Sequence, residues 1–390
     1  MSKWSPICCA LVIWHAVYCP VFACLWDNDT ISMERRRFPQ TLEMITGKFL
    51  RHSPQYYEWR IKDREARIKE NPSSELYDDL AVAYEKVGNH ENAISLTLEK
   101  QNLYPGLYPT HANLGTFYIH DGQFDQGLTE LRKAISINPD AHFGREVYQQ
   151  RLVEYLLSKR TDGTTSLPMS LQPRSEMTPT GFAAYLLETE GIGDSPAERK
   201  TLFTNAIKGV LGMMRFGNHD SPVLLEALGD LLLSDDFTSD GKQLAARAYL
   251  KACYESDDQA TKDAYRTLAK DSLFNQVIGD ETENGQVIQK LETTFATELE
   301  QASEWYSGVV NDELQWIAGG QNVDKAFAEK YYQDPEVEDT STFPLKSVNH
   351  PSSRSALIIT ALGILIMSTV CVLSWFLVRR GRSSRDSSVG

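Results

Sequence analysis

One spacing constrains this chain more than any other: chemically matched residues recur 34 positions apart. Leu80 recurs as Leu114, Tyr84 as Tyr118, Gly88 as Gly122 and Pro105 as Pro139, while Ala81 is matched by Gly115 and Ala93 by Gly127. A period of that length marks a supersecondary unit that cannot bury its apolar face alone, so copies must stack. Within the unit, small residues at 81, 93, 115 and 127 let two antiparallel helices approach closely. Gly88 and Gly122 fall where the chain reverses and tolerate positive φ. Pro105 and Pro139 cannot continue a helix and end each unit. The tyrosines are expected to fill the gap between neighbouring helices.

The residues in this pattern are Leu80, Ala81, Tyr84, Gly88, Ala93 and Pro105, then Leu114, Gly115, Tyr118, Gly122, Gly127, Leu131, Ala134 and Pro139. Together they resemble the tetratricopeptide repeat family, and the second unit matches more fully than the first. In the first, Thr97 and Lys100 stand where a large apolar and a small residue are expected, which predicts looser packing of its second helix. The resemblance implies an all-α solenoid of helical hairpins that binds a protein or peptide partner. In such a stack the first helices line the concave side. The expected groove residues are Asp78, Val82, Glu85, Asn113, Thr116 and His120, joined by Glu146 and Gln150 on a capping helix. Solvation of these positions without any partner, as in a plain spacer, is the bland alternative.

Around the repeats the chain is read as follows. Residues 24–157 form the repeat domain, opened by a helical hairpin that ends at Pro72. Segment 158–179 carries Gly163, Pro168, Pro173 and Pro179 among Ser and Thr and reads as a linker. A second helical domain occupies 180–332, beginning with a helix over Glu198–Arg215. In it Leu228-Gly229 and then Ala245, Tyr249 and Ala252 repeat the same logic. Gly229 to Ala245 is 16 residues instead of the family's 12, so this is a degenerate third repeat with a lengthened turn. From Gln286 to Ile317, apolar residues spaced three and four apart predict an amphipathic helix that either ends the solenoid or pairs with a copy of itself. Residues 333–355, with three prolines among acidic and Ser/Thr residues, read as a stalk.

The two ends point to a membrane. Ala356–Val378 is 23 residues without a charge, and about 20 suffice to span a bilayer as a helix. Arg379, Arg380, Arg382 and Arg385 follow, so the tail 379–390 is expected on the cytoplasmic side and the body outside, in the periplasm or at the cell surface. Lys3 before the apolar Ile7–Ala23 stretch has the layout of an export signal over residues 1–23. Three outcomes are open there: cleavage after Ala23, lipidation of Cys24 at a lipobox-like site, or an uncleaved anchor. Beyond the two apolar ends only Cys24 and Cys253 remain, too few for a disulfide framework, and Cys253 reads as a small buried residue.

A formal charge of −14 argues against a nucleic-acid partner, which would need clustered Lys and Arg. There is no phosphate loop, nucleophile elbow or zinc signature, so no catalytic residue, cofactor or metal ligand is assigned. Asp280, Thr282, Asn284 and Gly285 begin like a calcium loop, but the twelfth position is Leu291 instead of Glu. Asp235, Asp236 and Asp240 read as a solvated turn, and His219-Asp220 as the start of a helix. The segment Cys24–Thr30, with Trp26 among acidic residues, is either a docking element or a strap packed on the first hairpin. The reading is therefore a non-enzymatic, membrane-tethered scaffold. Its rival is an envelope enzyme or remodelling factor with a site in 180–330, betrayed by a pocket of acidic and His residues.

Overall fold

The structure, a computed structural model, describes residues 25–34, 36–139, 141–170, 179–234, 240–273 and 281–333. Residues 1–23 read as an export signal, Cys24, the 171–178 part of the expected linker, Asp235, Asp236, Asp280, and everything from 334 on, including the expected span and basic tail, lie outside the described residues. No helix among the described residues is long and apolar enough to cross a membrane. All of them belong to one contact unit, Met1–Glu338, and they form helices without a strand; the only β-type pairing described is a single bridge, Thr161 to Thr164.

The repeat period becomes α4 (Ser74–Lys86) with α5 (His90–Leu103), then α6 (Tyr108–His120) with α7 (Phe124–Ile137). They follow α1 (Asn28–Glu34), α2 (Thr41–Thr46) and α3 (Pro54–Glu70). Gly88 and Gly122 adopt φ of +77° and +76°, the left-handed turn that their positions required. At Gly115 an added Cβ would lie 2.8 Å from the Leu131 side chain, so α6 and α7 meet at a distance only glycine permits. Tyr84 packs beside Ala81 and Val82 and donates its hydroxyl to Glu65 on α3 at 2.6 Å.

The first repeat does not pack loosely. Thr97 is 1% exposed and Lys100 fully buried. Thr97 bonds back to the Ala93 carbonyl at 2.7 Å, and the Lys100 ammonium reaches both carboxylate oxygens of Asp78 at 2.6 Å. An ion pair thus occupies the positions that the small residues Ala112 and Ala134 hold in the second repeat. The opening hairpin also differs from expectation. α3 packs on α4, whereas α2 turns away to α10 (Pro196–Phe216), α12 (Gly241–Tyr254) and α14 (Glu281–Ala318). The reason is apolar: Met44 and Ile45 are fully buried among the residues of that distant half.

Beyond α7, α8 (Arg145–Ser158) caps the repeats and packs on α10. After the turns at 159–170, α9 (Gly181–Thr189), α11 (Pro222–Ser234) and α13 (Gln259–Leu273) complete the second half with α10 and α12. α11 and α12 reproduce the repeat contact: a Cβ on Gly229 would sit 2.7 Å from the Tyr249 ring. One apolar core runs from Ile119 and Leu131 through Leu152 and Phe182 to Leu228, Tyr249 and Phe295. Cys253 is a free, buried cysteine on α12.

The amphipathic stretch is the 38-residue α14. Its first half lies on the second region, with Phe295 fully buried and Glu298 paired to Arg247 at 2.8 Å. Its second half reaches α3, and α15 (Val323–Tyr331) folds back beside it. The last described helices therefore close on the first ones.

Candidate functional site

The concave face is not open. Residues 25–34, hereafter the strap, lie in it. Asn113, fully buried on α6, accepts the Trp26 N–H at 2.8 Å and donates to the Trp26 carbonyl at 2.9 Å. A side-chain amide that satisfies both polar groups of one residue holds an extended backbone without reading its side chain. Asn113 is itself held by Asp78 at 3.1 Å, and Asp78 by Lys100. Next along the strap, the Asn28 N–H donates to Asp79 at 3.1 Å. Leu25 is buried with Ala81, Val82 and Phe117, and the Trp26 ring stands edge-on to Tyr108 at 5.3 Å.

The strap's acidic residues enter a buried charge cluster. Arg60 on α3 lies 2.9 Å from Asp27 and 3.0 Å from Asp79. Arg64 bridges Asp79 at 2.9 Å and Asp324 on α15 at 2.5 Å. His52 stands between Asp29 at 2.7 Å and Glu313 on α14 at 2.5 Å, stacked on the Tyr56 ring. Burial opposes the His52 charge, but the carboxylates of Asp29 and Glu313 outweigh it and raise its pKa to about 9. Burial likewise raises Asp78 to about 7 in spite of Lys100 and Asn113.

Beside the strap is a cavity of about 330 Å³, lined by Asp27, Asp29, His52, Glu85, Lys86, His120 and residues 214–219. Lys86 donates to the carbonyls of Phe216 and Gly217 at 2.8 Å each, and burial lowers its pKa to about 8. Burial also lowers His219 to about 3, so its imidazole is neutral; it lies 3.2 Å from Asp220, which in turn pairs with Lys251 at 2.9 Å. At the cavity's edge, Glu85 contacts the Nδ1 atoms of His120 at 2.5 Å and His90 at 2.9 Å.

Of the eight groove positions read from sequence, Asp78 and Asn113 sit under the strap, Val82 packs on Leu25, and Glu85 and His120 border the cavity. Thr116 is buried and bonds Gln149 of α8 at 3.2 Å. Glu146 is 2% exposed, while Gln150 turns outward to Glu154. Seven of these eight residues are buried instead of lining an open groove; the chain's own strap covers Asp78, Val82 and Asn113, and α8 packs on Thr116. Asp79, Arg60, Arg64, His52, His90 and Glu313 were missed. Arg60 and Arg64, one helical turn apart on a helix opposite an acidic stretch, were the available signal; Glu313 is 261 residues from its partner His52 and gave none.

In the 180–330 region the fully buried acids with raised pKa are Glu226 and Asp230, four apart on α11. Burial and their mutual repulsion raise Glu226, and burial raises Asp230. Glu226 accepts from the Met169 and Ser170 N–H groups and the Tyr265 hydroxyl; Asp230 accepts from the Phe182 N–H and the Tyr249 hydroxyl. Both are spent on tying α9, α12, α13 and the 159–170 turns to α11, and neither lines a described pocket.

Residues 108–141 match the family model of the tetratricopeptide repeat, a span that covers α6, α7 and the turn after them. No curated protein and no solved structure matches the chain.

Proposed function

We propose that this protein is a scaffold held at a membrane by its 356–378 span, with the helical body on the extracytoplasmic side, where the repeat face binds an extended segment of a partner protein. Tetratricopeptide repeats serve protein–protein interaction, which supplies the class. The observation that carries the finer reading is the two-way hold of Asn113 on the Trp26 backbone, a contact any peptide of suitable shape can reproduce. The strap then competes with the partner for one site. Export by residues 1–23 and tethering by 356–378 rest on their apolar, charge-free composition and the arginines that follow the span.

Proximity cross-linking in native membranes tests the binding reading. Trp26→Ala, which loosens the strap, should increase one specific cross-linked protein; Asn113→Ala should abolish it with helicity unchanged. A set indifferent to both substitutions would remove the groove from consideration. In a chain whose residues 1–23 are replaced by a cleavable signal and which carries Cys24→Ser, deleting residues 356–390 should shift the body from the membrane to the soluble fraction; a soluble body before the deletion, or retention in the membrane after it, would overturn the C-terminal tether.

A further inference from the structure

We infer that Glu85, His90 and His120 form a binding site for a single zinc-type divalent ion. The repeat creates the arrangement. Glu85 lies at the end of α4 and His120 at the end of α6, nearly equivalent positions in successive first helices. The turn through Gly88 returns the chain so that His90, the first residue of α5, stands over Glu85. Three ligating side chains thereby converge from three helices without any sequence motif.

The three side chains sit at hydrogen-bond spacing, 2.5 and 2.9 Å from Glu85 to the two Nδ1 atoms, in an arrangement that can open to hold a metal. The three donor atoms lie within 4.8 Å of one another. Tetrahedral bonds of roughly 2.1 Å place ligand atoms about 3.4 Å apart, so small side-chain rotations bring the donors to that spacing. The carboxylate of Glu85 and the ring of His120 are 2% and 1% exposed, whereas His90 is 25% exposed and gives the ion a route in. Two imidazoles contact Glu85, each through its Nδ1 atom. The neighbouring ammonium of Lys86 is turned away to the Phe216 and Gly217 carbonyls. Two neutral imidazoles and one carboxylate are a ligand set that zinc accepts, with water as fourth ligand. Glu85 and His120 also line the cavity of about 330 Å³, which offers that water its place. The ion would pin α4, α5 and α6 together at the edge of the strap's groove. The site stands whether or not the groove binds a partner.

The test uses the full chain in detergent, stripped with a chelator and titrated with Zn²⁺ against a chromophoric competitor; Co²⁺ serves as a spectroscopic probe. One equivalent should bind, with the visible bands of four-coordinate cobalt. His90→Ala, at the most exposed ligand, should weaken binding at least about tenfold and erase those bands. His90→Cys, which restores a ligand, should recover them. His111→Gln is the control, because His111 pairs with Glu130 in the same way at 2.7 Å but has no second imidazole. If wild type binds no more tightly than His90→Ala, or if His111→Gln is equally damaging, the three residues are a hydrogen-bonded clamp and the inference fails.

Discussion

At the scale of single residues, the structure is governed by close approach and by charge buried in groups. Gly229 illustrates the first. A methyl there would meet the Tyr249 ring at 2.7 Å, and that ring cannot yield freely because its hydroxyl is bound to Asp230 at 2.7 Å. Alanine gains up to about 1 kcal/mol of helix propensity, while overpacking costs about 1–3 kcal/mol. Gly229→Ala should therefore lower the melting temperature, and an unchanged or higher value would show that α11 and α12 can separate. Arg60 illustrates the second. Removing its guanidinium in Arg60→Met leaves Asp27 and Asp79 buried and facing each other. The expected loss is about 3–5 kcal/mol by chemical denaturation. Adding Asp27→Asn and Asp79→Asn should recover part of it, because the stranded charge then disappears.

At the scale of elements, the strap is held by contacts that depend on protonation. His52 has its folded pKa raised to about 9 from an ordinary 6.5, so its contribution is complete below 6.5 and is lost as pH rises through 9. Amide hydrogen exchange, corrected for its intrinsic pH dependence, should show the Trp26–Ser32 amides losing protection over that interval while α6 and α7 keep theirs. Equal loss in both would mean that the strap and the repeats open as one unit. Much of this level was legible beforehand. The 34-residue period located α4 to α7, and the three-four spacing located α14, because local periodicity encodes both. Two things were not legible. The destination of α2 depends on Met44 and Ile45 finding a core built from residues far along the chain. The ion pair of Lys100 with Asp78 is buried at a position where the repeat pattern expects a small residue, and no local rule anticipates that exchange.

At the scale of the whole molecule, the buried acids set a common pH response. Asp78, raised to about 7, and the Glu226–Asp230 pair, raised by burial, hold protons in the folded state that the unfolded chain has already released. Their cost is absent below the ordinary carboxylate range and grows as pH climbs above it. His52 acts in the same direction at higher pH. His219, depressed to about 3, opposes them below pH 6.5, and Lys86, lowered to about 8, opposes them above pH 8, so thermal stability should fall most clearly between about pH 6.5 and about pH 8. Glu226→Gln, which keeps an acceptor for the Met169 and Ser170 amides, should flatten that slope; a slope identical to wild type would assign the decline to other groups. Of the site, the strap reading of the segment up to Thr30 was available in the sequence as one of two alternatives. The charges behind it were not, since Glu313 and Asp324 reach His52 and Arg64 across more than half the sequence.

That last contact also orders events in time. A chain is synthesised from its N-terminus, so residues 25–34 leave the ribosome long before Glu313 and Asp324 exist. The strap's receptor is incomplete until α14 and α15 have been made and have swung back to α3. An interrupted or misassembled chain would leave His52 without Glu313 and Arg64 without Asp324. The full hold on Asp29, by His52 with Glu313 behind it and by the Tyr332 hydroxyl at 3.0 Å, is consequently a certificate that translation and folding have both run to the end of the helical body.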